Sequence, residues 1–148
     1  MKNYFQSLTG LIRIFTLLII AILFSFTSKY EAKIPIPDSS FERSLIFLGI
    51  DSDLTVNGLI KESDVQKVTE LDLSSKGIYD LSGIEKFSSL KQLDVSNNHL
   101  QRLSLSTLAK LEDVNCSFNS LLHLELNKSL SYKNVKYYNN PDIEVSWK

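Results

Sequence analysis

Apolar residues in the second half of the chain return at a fixed spacing. Across residues 90–100 they fall at Leu90, Leu93, Val95 and Leu100, with Asn98 between the last two. Twenty-one positions on, the same slots hold Leu111, Val114, Cys116, Asn119 and Leu121, and a further twenty-one give Tyr132, Val135, Tyr137 and Asn140. Twenty-two positions back they hold Val68, Leu71, Leu73 and Ile78, with Lys76 in the Asn slot. Two more columns extend the register: Leu81, Leu103, Leu124 and Val145 share one, and Leu105, Leu126 and Trp147 share the other.

The spacing assigns work to each residue. In a strand, successive side chains alternate between faces, so Leu93 and Val95 point inward while Gln92, Asp94 and Ser96 point out. One coil cannot bury its apolar set alone, but stacked coils can, and their strands then pair side by side. The pattern L-x-x-L-x-L-x-x-N-x-L is that of a leucine-rich repeat. The expected fold over residues 68–148 is therefore a leucine-rich-repeat solenoid of about four short coils, with a parallel β-sheet on its concave face. Asn98, Asn119 and Asn140 form an internal ladder that satisfies backbone groups where the chain turns, since a buried unmatched polar group costs roughly 1–3 kcal/mol. Asn127 is expected on a surface turn.

Ahead of the repeats, Ile34-Pro35-Ile36-Pro37 reads as extended, and residues 29–37 as a linker. Asp38 stands where a helix N-cap belongs; Phe41, Leu45 and Leu48 follow at helical spacing and Gly49 supplies a stop. Residues 38–67 are thus expected to be an N-terminal cap, its helix closing the apolar end of the first coil. Within them, Asp53, Thr55, Asn57 and Asp64 occupy positions 1, 3, 5 and 12 of a twelve-residue loop with Gly58 at position 6, the arrangement of an EF-hand calcium site. The competing reading of this stretch is an Asn57-Gly58 turn followed by a helical turn starting at Ser63.

Composition changes the picture in three places. The 148 residues are 43% hydrophobic and 22% charged, ordinary for one globular domain. Of the charges, Lys2 and Arg13 precede residue 28 and all 17 Asp and Glu follow it, leaving 14 Lys and Arg against 17 acids, a formal charge of −3. That excludes the basic stripe a nucleic-acid partner needs. Residues 1–28 set Lys2 and Arg13 beside the apolar run 14–26, which reads as a cleaved signal peptide, or a membrane anchor if retained. The lone Cys116 sits in an apolar column, as a buried thiol.

Catalytic motifs are missing. His99 and His123 lie 24 residues apart and so fall in different columns. Neither a nucleophile elbow, a phosphate-binding glycine loop, a H-E-x-x-H nor a C-x-x-C occurs, so the chain is expected not to be an enzyme and to need no cofactor, calcium aside. What remains is the outward strand face. Read down the coils it presents Asp72, then Gln92 and Asp94, then Asp113 and Asn115, then Lys136 and Tyr138, passing from acidic to basic and aromatic. Such a face suits a protein or peptide partner. The alternative function is a calcium-stabilised structural or anchoring segment in which the repeats act as a spacer.

Residues 35–148 resemble the secreted bacterial leucine-rich-repeat proteins of the short, internalin-like type. The resemblance lies in Ile36-Pro37-Asp38-Ser39-Ser40-Phe41-Glu42, Leu48-Gly49-Ile50-Asp51, Val56-Asn57-Gly58, Leu71-Asp72-Leu73-Ser74-Ser75-Lys76-Gly77-Ile78 and Asn115-Cys116-Ser117-Phe118-Asn119. It implies an exported, non-catalytic binding module located outside the cytoplasm, secreted or on the cell surface. Its last coil replaces leucines with Tyr132, Tyr137 and Trp147, rings that can cover an apolar end while keeping a polar tip in water. A self-capped monomer is the expected state, and end-to-end association of two copies the alternative.

Overall fold

The computed structural model describes residues 12–22 and 31–148. It comprises two compact units, residues 1–31 and 32–148. In the first, residues 12–22 form a helix (α1) with exposed apolar side chains such as Phe15 and Leu17. Thr16 Oγ1 donates back to the Ile12 and Arg13 carbonyls. The remainder of the expected signal or anchor, residues 1–11 and 23–28, lies outside the described residues. Among the described residues no helix is long and apolar enough to cross a membrane.

The second unit is a repeat protein, a solenoid of about four turns of parallel strand. Its first sheet takes one strand from each coil: β3 (Glu70–Asp72), β4 (Gln92–Asp94), β6 (Asp113–Asn115) and β8 (Asn134–Lys136). Leu71, Leu93, Val114 and Val135 sit opposite one another in register. The pairing follows the column spacing because any slip would swing an apolar column into water. Leu73, Val95 and Cys116, just beyond the strands, are fully buried.

A second sheet, absent from the sequence-based expectation, joins β5 (Arg102–Ser104), β7 (His123–Leu126) and β9 (Glu144–Trp147) in parallel. It is built on the columns Leu103, Leu124, Val145 and Leu126, Trp147. The first coil supplies no strand here. Its N–H groups at Tyr79 and Asp80 are taken by Asp38 Oδ2, at 2.7 and 3.0 Å, and the chain turns into a 3-10 helix, Ile84–Lys86.

Residues 33–65 pack on the same core. β1 (Lys33–Pro35) pairs antiparallel with β2 (Leu59–Lys61), so part of the stretch expected as an extended linker is a paired strand, with Ile34 and Ile36 buried. Between them lies α2 (Ser39–Phe47), whose N-cap is Asp38 as expected: Oδ1 accepts from Ser40 N and Phe41 N. α2 buries Phe41 and Leu45, and the Phe41 ring stands 6.3 Å from that of Phe87 in the first coil. A helical turn, α3 (Glu62–Val65), follows β2; Lys61 rather than Ser63 occupies its N-cap position. Gly83, at φ 103°, is required where this segment meets the first coil, because a Cβ there would stand 2.4 Å from Ile36 Cδ1 and 2.9 Å from the Pro35 carbonyl. Among the described residues the buried hydrophobic side chains lie between Ile34 and Leu126 in one cluster, so residues 32–148 carry a core of their own.

Candidate functional site

The outward residues of the first sheet converge on a shallow groove of about 440 Å³. Glu70, Asp72, Asp94 and Asp113 supply carboxylates to its lining, Gln92, Asn115 and Asn134 supply amides, and Lys136 closes one end. Six of the seven candidate partner-binding residues are brought together here. Tyr138 is not among the lining residues.

Local chemistry fixes these side chains. Asp72 Oδ1 accepts from Ser74 N at 2.9 Å, Asp94 Oδ1 from Ser96 N at 2.9 Å and from Ser96 Oγ, and Asn115 Oδ1 from Ser117 Oγ at 2.6 Å. β3, β4 and β6 thus each end in an Asx turn, because a short polar side chain can bond the backbone two residues on, whereas β8 ends in Lys136. The second oxygen of Asp94 accepts from Asn115 Nδ2 at 2.9 Å, tying neighbouring coils across the groove. The Ser74 hydroxyl and N–H hold the Asp72 carboxyl below the usual carboxylate range. Rows of side chains one strand apart stand about 4.8 Å from each other, close enough for a partner's cation to span two carboxylates.

At the rim, the Tyr138 ring meets Phe118 edge-on, with centroids 5.4 Å apart, and both are more than half exposed. Pattern reasoning passes over Phe118. It occupies the left-handed column that also holds Ser75, Asn97 and Asn139, at φ 54° to 58°. Asn tolerates that conformation and a bulky side chain does not favour it. An aromatic in an Asn slot was the available signal.

Of the Asn ladder, Asn98 and Asn119 are buried and Asn140 is half-buried. Asn98 Oδ1 accepts from Lys76 N and Ile78 N, and its Nδ2 donates to the Leu73 and Val95 carbonyls. Asn119 accepts from Leu100 N and Asn140 from Leu121 N, each reaching back to the preceding coil. This accounts for Lys76 in the first coil: no coil precedes it, so no side chain is needed there to reach back. Asn127 is not a mere surface turn, since its Nδ2 donates to the Ser106 carbonyl at 2.8 Å, one coil away. Cys116 is buried, its Sγ 3.4 Å from the Lys136 carbonyl, and burial pushes the thiol up to about 12. It is inert as a nucleophile.

In the candidate calcium loop, oxygens already serve the chain. Asp53 Oδ1 accepts from Thr55 N and Oδ2 from Asn57 Nδ2. Asn57 Oδ1 accepts from Leu59 N, the Thr55 hydroxyl donates to the Asp53 carbonyl, and Asp64 Oδ2 accepts from Ser52 N. An ion would have to displace these bonds, and Asn57 turns its nitrogen, not its oxygen, toward Asp53. Among the described residues no group of three or more His, Cys, Asp or Glu is placed to hold a metal. In this arrangement the four side chains are bonded to the chain itself. What shapes the loop is Glu42, buried on α2, whose Oε1 accepts from Asn57 N, Gly58 N and Leu59 N at 2.8–3.2 Å. Its pairing partners are 15 to 17 residues away, beyond any local pattern.

No family model and no curated protein matches this chain. Among solved structures it is similar to the CBM51-2 and INT domains from Clostridium perfringens ZmpB, at 32% identity and a TM-score of 0.49, over 66% of this chain. The chain spans 20% of the length of that structure's chain.

Proposed function

We propose that this chain is an exported, non-catalytic leucine-rich-repeat module of the short internalin-like type that binds a protein or peptide along the concave face of its first sheet. In this reading residues 38–67 are the N-terminal cap and residues 1–28 the export signal or anchor. The 22- and 21-residue register between strands and the back-reaching Asn ladder support the repeat type. The bonds of the α2 N-cap Asp38 to Tyr79 N and Asp80 N, and the close approach of Ile36 to Gly83, both in the first coil, support the cap.

The observation that carries the binding reading is the groove itself. Four carboxylates stand along it and one ammonium marks the end nearest the last coil. The partner that fits is a polypeptide segment with Lys or Arg over β3, β4 and β6, and an acidic or aromatic residue by Lys136 and Tyr138. Charges arranged this way set orientation and encounter rate more than affinity.

Selection of peptides from a random library against residues 32–148 tests this. Enriched peptides should be basic, and should lose binding to Asp72→Lys and Asp94→Lys while keeping it to Asp53→Lys, which lies off the groove. Peptides indifferent to Asp72→Lys and Asp94→Lys, or no enrichment at all, would overturn the proposal.

A further inference from the structure

We propose that the cleft between α2 and the first coil binds an aryl phosphate, its oxyanion held by Arg43, Lys76 and the Ser40 hydroxyl and its ring laid against Phe47. Ser40, Arg43, Ser44, Phe47 and Lys76 line this cleft of about 360 Å³, and none of them lines the acidic groove.

The cleft follows from the spacing along α2. Residues 40, 43, 44 and 47 fall at i, i+3, i+4 and i+7, so they share one face of the helix, beside the face that buries Phe41 and Leu45. Two serines on that face leave room that longer side chains would fill. Ser44 is buried, and its hydroxyl donates to the Ser40 carbonyl at 2.7 Å. The Ser40 hydroxyl accepts from Arg43 Nη2 at 3.1 Å, which fixes the guanidinium beside it and leaves the hydroxyl's own proton to donate. Lys76 comes from the turn of the first coil, where Asn98 Oδ1 holds its N–H, and its Nζ stands 5.6 Å from the centroid of the Phe47 ring.

Charge and exposure identify the ligand. Among the described residues no carboxylate forms an ion pair with Arg43 or Lys76. Asp72 feels Lys76 only at a distance, less than it feels the Ser74 hydroxyl and N–H. Phe47 is 81% exposed although Lys76 lies over its ring. A cation–π contact so open to water is weak, and it gives Arg43 and Ser40 nothing to do. Two cations and a hydroxyl match a phosphate monoester, which carries a charge of about −1.5 to −2 and three acceptor oxygens. Arginine offers such a group two parallel N–H donors. The volume lies at the low end of the roughly 300–1,000 Å³ of small-ligand sites, enough for a ring beside its phosphate, and that ring would meet Phe47 stacked or edge-on.

Titration of residues 32–148 with phenyl phosphate, followed by amide chemical shifts, tests the proposal. Saturable shifts are expected at Arg43, Ser44, Phe47 and Lys76. Phenyl phosphate should bind about fivefold tighter than inorganic phosphate, the gain of one aromatic contact, and tighter than phenyl sulfate, which carries a single charge. Arg43→Gln and Lys76→Gln should each weaken it about tenfold, with melting temperatures near the parent's because both side chains are exposed, whereas Lys110→Gln on a distant turn should change nothing. Phe47→Ala should erase the preference for phenyl phosphate and keep the affinity for inorganic phosphate. A short phosphotyrosyl peptide separates two sources of the group: tighter binding than phenyl phosphate assigns a polypeptide, weaker binding a free aryl phosphate, and both uphold the site. Phenyl phosphate that binds no tighter than inorganic phosphate or phenyl sulfate overturns the proposal. So do constants unmoved by Arg43→Gln and Lys76→Gln.

Discussion

Replacing Asn119 with alanine removes one side chain that joins two coils, and the structure sizes the loss. Asn119 is 7% exposed. Its Oδ1 accepts from Leu100 N at 3.0 Å, and its Nδ2 donates to the carbonyls of Val95, Cys116 and Ser117 at 2.9, 3.2 and 3.3 Å. The three carbonyls keep other donors: Asn98 Nδ2 for Val95, Asn140 Nδ2 for Cys116 and Asn97 N for Ser117. Only the Leu100 N–H is orphaned, inside the core. An orphaned buried donor costs about 1–3 kcal/mol and the best of the lost bonds adds about 1, so the expected destabilisation is about 2–4 kcal/mol. With a urea m-value of about 1–3 kcal/mol/M, the midpoint of residues 32–148 should fall by about 1–2 M. Asn127→Ala is the comparison. It breaks a bond to Ser106 and one from Ser129, but Asn127 is half-exposed and water replaces part of what is lost, so about 0.5–1 kcal/mol is expected. Asn98→Ala should match or exceed Asn119→Ala, because its Oδ1 serves two N–H groups. Equal midpoints for Asn119→Ala and Asn127→Ala would refute the ladder as the internal stitch between coils.

Three further outcomes are expected. Burial alone would raise the Asp38 carboxyl, but N–H groups of Tyr79, Phe41, Asp80 and Ser40 outweigh it and hold the group below its usual value. Asp38 therefore contributes stability above the usual carboxylate range that is lost as pH falls through its folded value, and Asp38→Ala should cost about 1–3 kcal/mol at pH 7 and progressively less in acid, by urea titration at several pH values. Gly83→Val should destabilise by about 2–4 kcal/mol in thermal melts, since its Cβ collides with Ile36 and Pro35 at a φ of 103°. Millimolar calcium should leave the melting temperature of chelator-treated protein unchanged, and Asp53→Ala should not alter that; a calcium-dependent rise would show that the loop rearranges to bind the ion.

The repeat was legible from sequence because every coil solves the same local problem. Leu93, Val114 and Val135 recur at the period that brings strands into register, and Asn98, Asn119 and Asn140 recur where each turn needs an internal acceptor. The Asp38 cap was legible too, since its first oxygen serves N–H groups only two and three residues away. The groove residues could be named by alternation alone, although their gathering into one concavity depends on the stacking.

What only the tertiary structure decided involves segments that do not repeat. The second oxygen of Asp38 bonds residues 41 and 42 positions on, Glu42 cradles a turn 15 to 17 residues away, and β1 finds its partner across α2. No periodicity announces such contacts, because each is made once, by groups that meet only after the solenoid has closed. The second sheet shows the boundary well: its columns were visible at Leu103, Leu124 and Val145, but whether they hydrogen-bond as strands depends on how each coil turns back. In the first coil Asp38 takes the N–H groups of Tyr79 and Asp80, and the strand is absent there although Leu81 keeps its column. Apolar spacing determines which side chains face inward; competition for backbone hydrogen bonds between distant residues determines which of those segments become strands.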